Sequence, residues 1–203
     1  MIRIFMDHIC RIENYLAAGG MVMLPLMVVS ALMWTLIINR LLFFRRLYRK
    51  NMTRKTASEY LKSGESPDTG KYRGATVMLV NRFLQRRSGR TDLDRFILDE
   101  TVVVIVSSLD RYLTLIGILA ALAPLLGLLG TVTGMIATFD IISFFGTGNA
   151  RAMARGISEA LITTQTGLIV AIPGLYLSNF LNRRAENLKQ RIASVGIYLR
   201  QHV

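Results

Sequence analysis

The side chains of this sequence that could do chemistry are hydroxyl, amide and carboxyl groups within two otherwise apolar stretches. The first stretch holds Thr131 among glycines and leucines, and the second holds Glu159, Thr163, Thr164 and Gln165. Polar groups in a membrane helix are costly unless they face other helices or water. These residues therefore predict an interior surface, such as the lining of a narrow hydrated path.

Other kinds of chemistry have little support. The two histidines, His8 and His202, lie at opposite ends of the chain, and Cys10 is the only cysteine. A single cysteine cannot form an internal disulfide or a zinc site. No pairing of a nucleophile with a base is visible. We therefore expect a protein that is not an enzyme and that holds no metal and no cofactor.

Three long windows without a charged residue indicate the elements that would position the polar groups. They cover residues 14–39, 112–139 and 160–182, and are 26, 28 and 23 residues long. A membrane helix needs roughly 20 apolar residues. A soluble protein with three buried helices is the alternative, but helices this long and apolar all round are rare in a small chain. The composition agrees with a membrane protein, being 52% hydrophobic and 19% charged.

The basic residues predict the orientation. Segments 1–18 and 140–156 carry two Lys or Arg each, whereas segment 40–111 carries 16 and segment 183–203 carries five. The side with more basic residues faces the cytoplasm. The net charge of +12 is therefore a topology signal, and we expect no nucleic-acid partner.

An all-α integral membrane protein follows, N-out and C-in, with three transmembrane helices and long cytosolic helical extensions of spans two and three. Its predicted parts are a periplasmic N-terminal segment 1–19, a first span 20–42, a cytoplasmic helical domain 43–111, a second span 112–139, a periplasmic loop 140–156, a third span 157–182 and a cytoplasmic C-terminal helix 183–203.

Two details of the cytoplasmic domain can be predicted. Residues 63–74 are rich in Gly, Ser, Pro and Asp, which is typical of a turn region. Thr91 and Asp94 resemble a capping box, so we expect one helix to begin near Asp92 and to run unbroken to about Phe139. Pro124 should kink that helix, because proline lacks an N–H group.

The C-terminal segment has an amphipathic pattern. Apolar residues recur there at steps of three, four and seven, with Arg and Lys between them: Leu181, Leu188, Ile192, Val195 and Leu199. This spacing predicts a helix that continues the third span. We expect it to pack against the cytosolic helices; a free helix on the lipid surface is the alternative.

Small residues in spans two and three predict close helix packing, because glycines let helix backbones approach in lipid. The residues concerned are Gly127, Gly130 and Gly134 with Pro124 in span two, and Gly167 in span three. Oligomers with a central path have cyclic symmetry, so a homo-oligomeric ring is expected. Spans two and three should line that path, and span one should face lipid.

The distances along both spans predict that Thr131 and Thr164 lie at one level, roughly 10–12 Å below the outer surface. Each polar residue also has a simpler explanation. A threonine can bond the carbonyl of its own helix. Glu159 could pair with Arg155 one turn earlier, and Gln165 could join two helices. The three windows contain no ionisable side chain apart from tyrosine. A proton path would therefore need an acidic group from a partner.

Two motifs resemble the ExbB/TolQ/MotA proton-channel family. Residues 123–135, APLLGLLGTVTGM, are similar to its signature helix. Residues 156–164, GISEALITT, followed by Gly167 and by Ala-Ile-Pro at 171–173, are similar to its third-span motif. MotA-type stators have four spans, and the three-span layout with Trp34 before Arg40 is most like a compact ExbB of a TonB system.

The resemblance implies a homopentamer in the inner membrane of a Gram-negative bacterium, among inner-membrane lipids. It implies an ExbD-like single-span partner that supplies a membrane aspartate, and a TonB-like protein energised by the proton motive force for outer-membrane uptake. The residues carried over are Thr131, Glu159 and Thr164. The chain departs from the family in its short N-terminal segment and in the Thr-Thr-Gln-Thr sequence at 163–166.

Two other functions compete with this one. A TolQ-like subunit of the Tol-Pal envelope system would share the same motifs, and a neighbouring tonB-like or tolA-like gene would separate the two. A membrane scaffold without conductance is of another class. It predicts that replacements of Thr131 and Thr164 act only through packing.

Overall fold

The protein was examined as a computed structural model, which describes residues 18–48, 52–67, 74–146 and 149–201. Its helices are α1 Met23–Tyr48, α2 Arg54–Ser63, α3 Ala75–Leu84, α4 Thr91–Asp110, α5 Leu113–Phe145 and α6 Ala150–Arg200. The predicted N-terminal segment 1–19 lies outside the described residues except for its last two. Parts of the predicted turn region 63–74 and of the loop 140–156 also lie outside them.

Three helical stretches are long and apolar enough to cross a membrane. They are Met23–Tyr48, Thr91–Phe145 counted across a two-residue interruption, and Ala150–Arg200. The chain is therefore a multi-pass membrane protein built from α-helices. The predicted second and third spans lie inside these stretches, and the first begins three residues before α1.

The chain divides into two compact units. The first comprises residues 1–36 and 115–178, and the second comprises residues 37–114 and 179–203. In the first unit, Met23 and Leu26 of α1 form a buried cluster with Ala123 of α5 and Ala171 of α6. Not all of span one faces lipid, since one side of this part of α1 is covered by the α5–α6 pair.

The second unit has a core of large apolar side chains. Phe44, Leu98 and Ile105 are fully buried there. The five apolar residues of the C-terminal pattern are buried as well, as predicted: Leu181, Leu188, Ile192, Val195 and Leu199. Lys189 of α6 forms a 2.7 Å ion pair with Asp110 of α4, which raises the pKa of the lysine. The tail helix therefore packs against α4 instead of lying free.

The helix predicted to run unbroken from Asp92 to Phe139 is interrupted at Arg111 and Tyr112, where Tyr112 has φ 67°. Arg40 of α1 is 4% exposed, and its guanidinium donates to Leu109 O and, at 2.9 Å, to Ser108 O. These carbonyls belong to the last turn of α4, where helix carbonyls lack intrahelical partners. A contact distant in sequence thus stabilises the end of α4. Pro124 lies within α5.

The predicted capping box at the start of α4 is wrong. Arg90 is the N-cap residue, and no side chain caps the helix. The buried carboxylate of Asp94 instead accepts hydrogen bonds from Ser88 N at 2.7 Å, Ser88 Oγ at 3.1 Å and Gly89 N at 3.2 Å. Burial raises the pKa of Asp94, but these bonds and Arg87 outweigh it, so that the pKa lies below its usual value. Asp94 therefore holds the turn that precedes α4.

Candidate functional site

Helices α5 and α6 meet along a seam of small residues. A Cβ atom at Gly127 would lie 3.1 Å from Thr164 Cα, and one at Gly130 would lie 2.2 Å from Thr163 Oγ1. Such distances leave no room for a side chain at Gly130. The glycines therefore let the two backbones approach, which is the packing that small residues provide in lipid.

The seam extends toward both ends of the pair. A Cβ atom at Gly134 would lie 2.8 Å from Gly156 O, and one at Gly167 would lie 2.7 Å from Ala123 O. All four glycines predicted for helix packing thus lie in this contact. Sequence reasoning missed Gly156 on α6, although the step from Gly156 to Ala160 has the same four-residue spacing as Gly130 to Gly134.

Thr163 belongs to the seam and is 1% exposed. Its hydroxyl donates to the carbonyls of Glu159 and Ala160 in its own helix, each at 3.0 Å. Its side chain also occupies the space beside Gly130. The structure therefore places Thr163 in the contact between α5 and α6, where its side chain packs against Gly130.

Thr131 of α5 and Thr164 of α6 are both partly exposed. Thr164 lies at the seam, since a Cβ atom at Gly127 would be 3.1 Å from Thr164 Cα. Thr131 follows directly after Gly130, whose missing side chain leaves space for Thr163. The structure therefore places both threonines in or next to the contact between α5 and α6, where neither is fully buried.

The two hydroxyls both bond backbone carbonyls. Thr131 Oγ1 donates to Leu128 O at 2.6 Å. Thr164 Oγ1 lies 3.0 Å from Ala160 O and 3.2 Å from Gly127 O. Thr164 lies against Gly127, which precedes Thr131 by four residues, so the two threonines are displaced along the helices by roughly 6 Å. They therefore lie about one helical turn apart instead of at one level.

Glu159 is partly buried and lies against the segment before α1. A Cβ atom at Gly20 would lie 1.5 Å from Glu159 Oε1, and Gly20 has φ 66°. Only glycine adopts that conformation readily and leaves this space for the carboxylate. The pairing of Glu159 with Arg155 is not found among the salt bridges of the described residues. Sequence reasoning missed Gly20, since a contact across 139 positions leaves no local pattern.

Gln165 is exposed on α6. Within the described residues it forms no hydrogen bond that would join two helices. The same residues contain no group of three or more His, Cys, Asp or Glu side chains that could hold a metal ion. The polar residues that the sequence analysis singles out in this unit thus offer hydroxyls, the Gln165 amide and the Glu159 carboxylate.

Comparisons with known proteins agree with this architecture. Residues 74–194 match the model of the MotA/TolQ/ExbB proton channel family. An ExbB-like 1 biopolymer transport protein of Synechocystis sp. is 31% identical over 206 residues, which cover 95% of this chain and 79% of the relative. The biopolymer transport protein ExbB of Aquifex aeolicus is 39% identical over 110 residues, covering 54% of this chain and 71% of the relative.

The biopolymer transport protein ExbB of Salmonella typhimurium is 27% identical over 191 residues, which cover 86% of this chain and 77% of the relative. The family match spans more than half of the 203 residues and includes the whole α5–α6 seam. Together with the three apolar helical stretches, it shows that this chain belongs to the MotA/TolQ/ExbB proton channel family.

Proposed function

We propose that the chain is an ExbB-like proton-channel subunit of an inner-membrane complex in a Gram-negative bacterium. With an ExbD-like partner it would use the proton motive force to energise a TonB-like protein, and so drive uptake across the outer membrane. In this role it is a transport subunit and not an enzyme. The family match supports the proposal, as do relatives named biopolymer transport protein ExbB.

The observation that carries the proposal is that Thr131 and Thr164 stay partly exposed beside a closely packed helix seam. Several copies in a ring, a pentamer in our proposal, would turn these two residues toward a common lumen. The spans hold no Asp, Glu, His, Lys or Arg within the three charge-free windows. The titrating group would therefore be an aspartate on the enclosed ExbD-like helix.

Hydration explains why hydroxyls would matter there. A carboxylate in a dry apolar lumen has a raised pKa and stays protonated. Threonine side chains hold water next to the partner's aspartate, and the acid can then gain and lose its proton. Glu159, packed on Gly20, would assist proton entry or set the charge balance of the lumen.

Replacing both hydroxyls tests the proposal. Thr131→Val combined with Thr164→Val keeps the side-chain shape, and we expect energised uptake to fall to the level of cells without the protein. The matched control is Thr133→Val, because Thr133 also bonds its own helix, to Gly130 O at 3.1 Å, and lies on another side of α5. The measurement is TonB-dependent iron uptake in cells lacking their own ExbB and TolQ. Normal uptake by an assembled double variant would refute the hydroxyl pathway.

The proposed orientation has a separate test. A reporter fused after Val203 should be active in the cytoplasm, and one inserted at Gly148 should be active in the periplasm. This follows from the 21 basic residues on one predicted side against four on the other. A cytoplasmic signal at position 148 would reverse the orientation.

A further inference from the structure

A cavity with a basic rim lies in the second unit, between the start of α2 and the end of α6. Its volume is about 580 Å³. Residues 52–55 form one wall, and Arg191, Val195 and Tyr198 of α6 form the other. We call it the basic cavity. It is separate from the residues of the proposed proton path, which belong to the first unit.

Three cations surround the basic cavity: Arg54, Lys55 and Arg191. None of the described residues that line it is a carboxylate. The salt bridges of the described residues use other cations of the unit, such as Lys189 with Asp110. Like charges placed together repel one another, and an anion between them removes that repulsion. The cavity is therefore positively charged, as expected of a site that binds an anion, and none of its described lining residues neutralises that charge.

The backbone adds to this positive field. Helix α2 begins at Arg54, and its N-cap residue Thr53 has φ −73° and ψ 153° with no side-chain cap hydrogen bond. No acidic residue stands in the first turn of α2. The N–H groups of a first helical turn lack intrahelical acceptors and favour a negative group. The uncapped start of α2 thus lines the same cavity as the three cations.

The remaining residues that line the basic cavity and its surroundings indicate which kind of ligand it could bind. Met52 and Val195 are each 2% exposed and form a closed apolar floor. A second depression of about 470 Å³ shares Arg54 and Tyr198 with it. Its further lining includes the neutral polar side chains Gln190, Ser194 and Gln201. The two depressions thus adjoin through two shared lining residues, and their polar side chains can donate several hydrogen bonds.

We propose that the basic cavity binds a phosphate-bearing polyanion, with Arg54, Lys55 and Arg191 as its ligands. Arginine pairs with phosphate through two parallel N–H···O bonds, and a helix N-terminus suits the same group. Multiple phosphates match the three cations better than a single carboxylate does. This inference does not rest on the proposed transport role.

The phosphates could belong to a soluble anion or to a lipid headgroup. Arg191 lies nine residues beyond the predicted end of span three at 182, which is about 14 Å along α6. The headgroup layer on each side of a bilayer is only about 5–8 Å thick. This distance favours a soluble cytoplasmic polyphosphate over a lipid.

Calorimetric titration of the full-length protein in neutral detergent with sodium tripolyphosphate tests the site. We expect saturable binding at physiological ionic strength, weakened about tenfold or more in Arg54→Gln/Arg191→Gln. The matched control is Arg82→Gln/Arg95→Gln, which removes the same charge from two exposed arginines outside the cavity. Its affinity should stay within about twofold of the parent. Equal weakening in both pairs, or no saturable binding in the parent, would overturn the proposal.

Two further titrations decide the source and the chemistry of the anion. In nanodiscs, phosphatidylglycerol that competes with tripolyphosphate would assign the site to lipid phosphates, whereas equal affinity with phosphatidylcholine would support a soluble anion. A hexaglutamate peptide that binds more tightly than tripolyphosphate would refute the phosphate proposal in favour of an acidic protein segment. Arg54→Lys/Arg191→Lys keeps the charge but removes the paired N–H donors of arginine, so binding should be weaker than in the parent and stronger than in Arg54→Gln/Arg191→Gln. Binding as weak as in the Gln pair, with normal circular dichroism, would refute a site that attracts the anion by its positive charge.

Discussion

Helix α6 packs in two different ways along its 51 residues. Up to Ser178, it contacts α5 through small residues such as Gly156 and Gly167, whose missing side chains leave the backbones close together. Beyond Asn179, it buries leucine, isoleucine and valine, including Leu188 and Ile192. The same helix thus packs through close backbone contact at glycines in the first unit and through large buried side chains in the second.

The two units also differ in the interactions that their polar and charged side chains make. The salt bridges of the described residues all lie in the second unit, for example Arg200 with Asp99 at 3.5 Å. In the first unit the polar side chains are mostly hydroxyls bonded to helix carbonyls, as at Thr138 with Gly134 O at 2.9 Å. Polar groups there are satisfied by the nearest backbone.

The two kinds of packing are those expected of a unit surrounded by lipid and of a unit surrounded by water. In lipid, apolar side chains gain nothing by leaving the solvent, so helices associate through close backbone contact. In water, burial of apolar area drives association. Added bulk should therefore damage the first unit, and lost bulk should damage the second.

The largest effect is expected from Gly130→Leu. A Cβ atom there would lie 2.4 Å from Thr163 Cβ, so α5 and α6 could not stay in contact. We expect loss of the assembled oligomer, measured by size-exclusion chromatography with light scattering. Ala137→Leu is the control, because Ala137 is exposed on the same helix. Intact oligomers of the Gly130 variant would show that close backbone approach is not needed.

A smaller effect is expected from Leu188→Ala in the second unit. Leu188 is 1% exposed, and a cavity left by a buried leucine costs about 2–5 kcal/mol. The midpoint of thermal unfolding should fall, as followed by circular dichroism in detergent. Ile197→Ala serves as the control on the same helix, because Ile197 is 65% exposed. Equal losses for the two variants would mean that burial does not stabilise this unit.

The smallest effect is expected from Asp94→Asn. The folded state lowers the pKa of Asp94. The contribution of its carboxylate to stability is therefore present above the unfolded-state pKa of about 3.9, and it is lost as pH falls through the folded-state pKa. At neutral pH we expect a loss of about 1.5–3 kcal/mol, typical of hydrogen bonds to a charged group. As pH falls below the unfolded pKa and then through the lower folded pKa, the difference from the parent should shrink. A difference that does not vary with pH would exclude the charge of Asp94 as the cause.

The sequence predicts best those features that depend on local composition. The three spans follow from long stretches without charge, and Gly130 and Gly134 of the seam follow from their four-residue spacing. The contact of Arg40 with the carbonyls of Ser108 and Leu109 joins residues 68 and 69 positions apart. No periodicity in the sequence signals such a contact, so the interruption at Tyr112 could not be predicted.

The candidate site shows the same limit. The residue types marked Thr131, Thr163 and Thr164 alike as polar groups in apolar helices. Only the packing separates them, since Thr163 is buried against Gly130 while the other two stay partly exposed. The sequence likewise predicts Asp94 near the start of α4, but not that its hydrogen-bond partners Ser88 and Gly89 precede the helix.

The way in which Thr131 and Thr164 use their protons has a further consequence. Each hydroxyl gives its single hydrogen to a backbone carbonyl, at 2.6 Å for Thr131 and 3.0 Å for Thr164. What remains toward the exposed side is a pair of oxygens that can only accept hydrogen bonds. Such oxygens can accept a hydrogen bond from the O–H of a neutral carboxylic acid, but they cannot donate one to a carboxylate. On the proposed function, the partner's aspartate would be held protonated wherever it meets the threonines directly, and would ionise only where water supplies the donors.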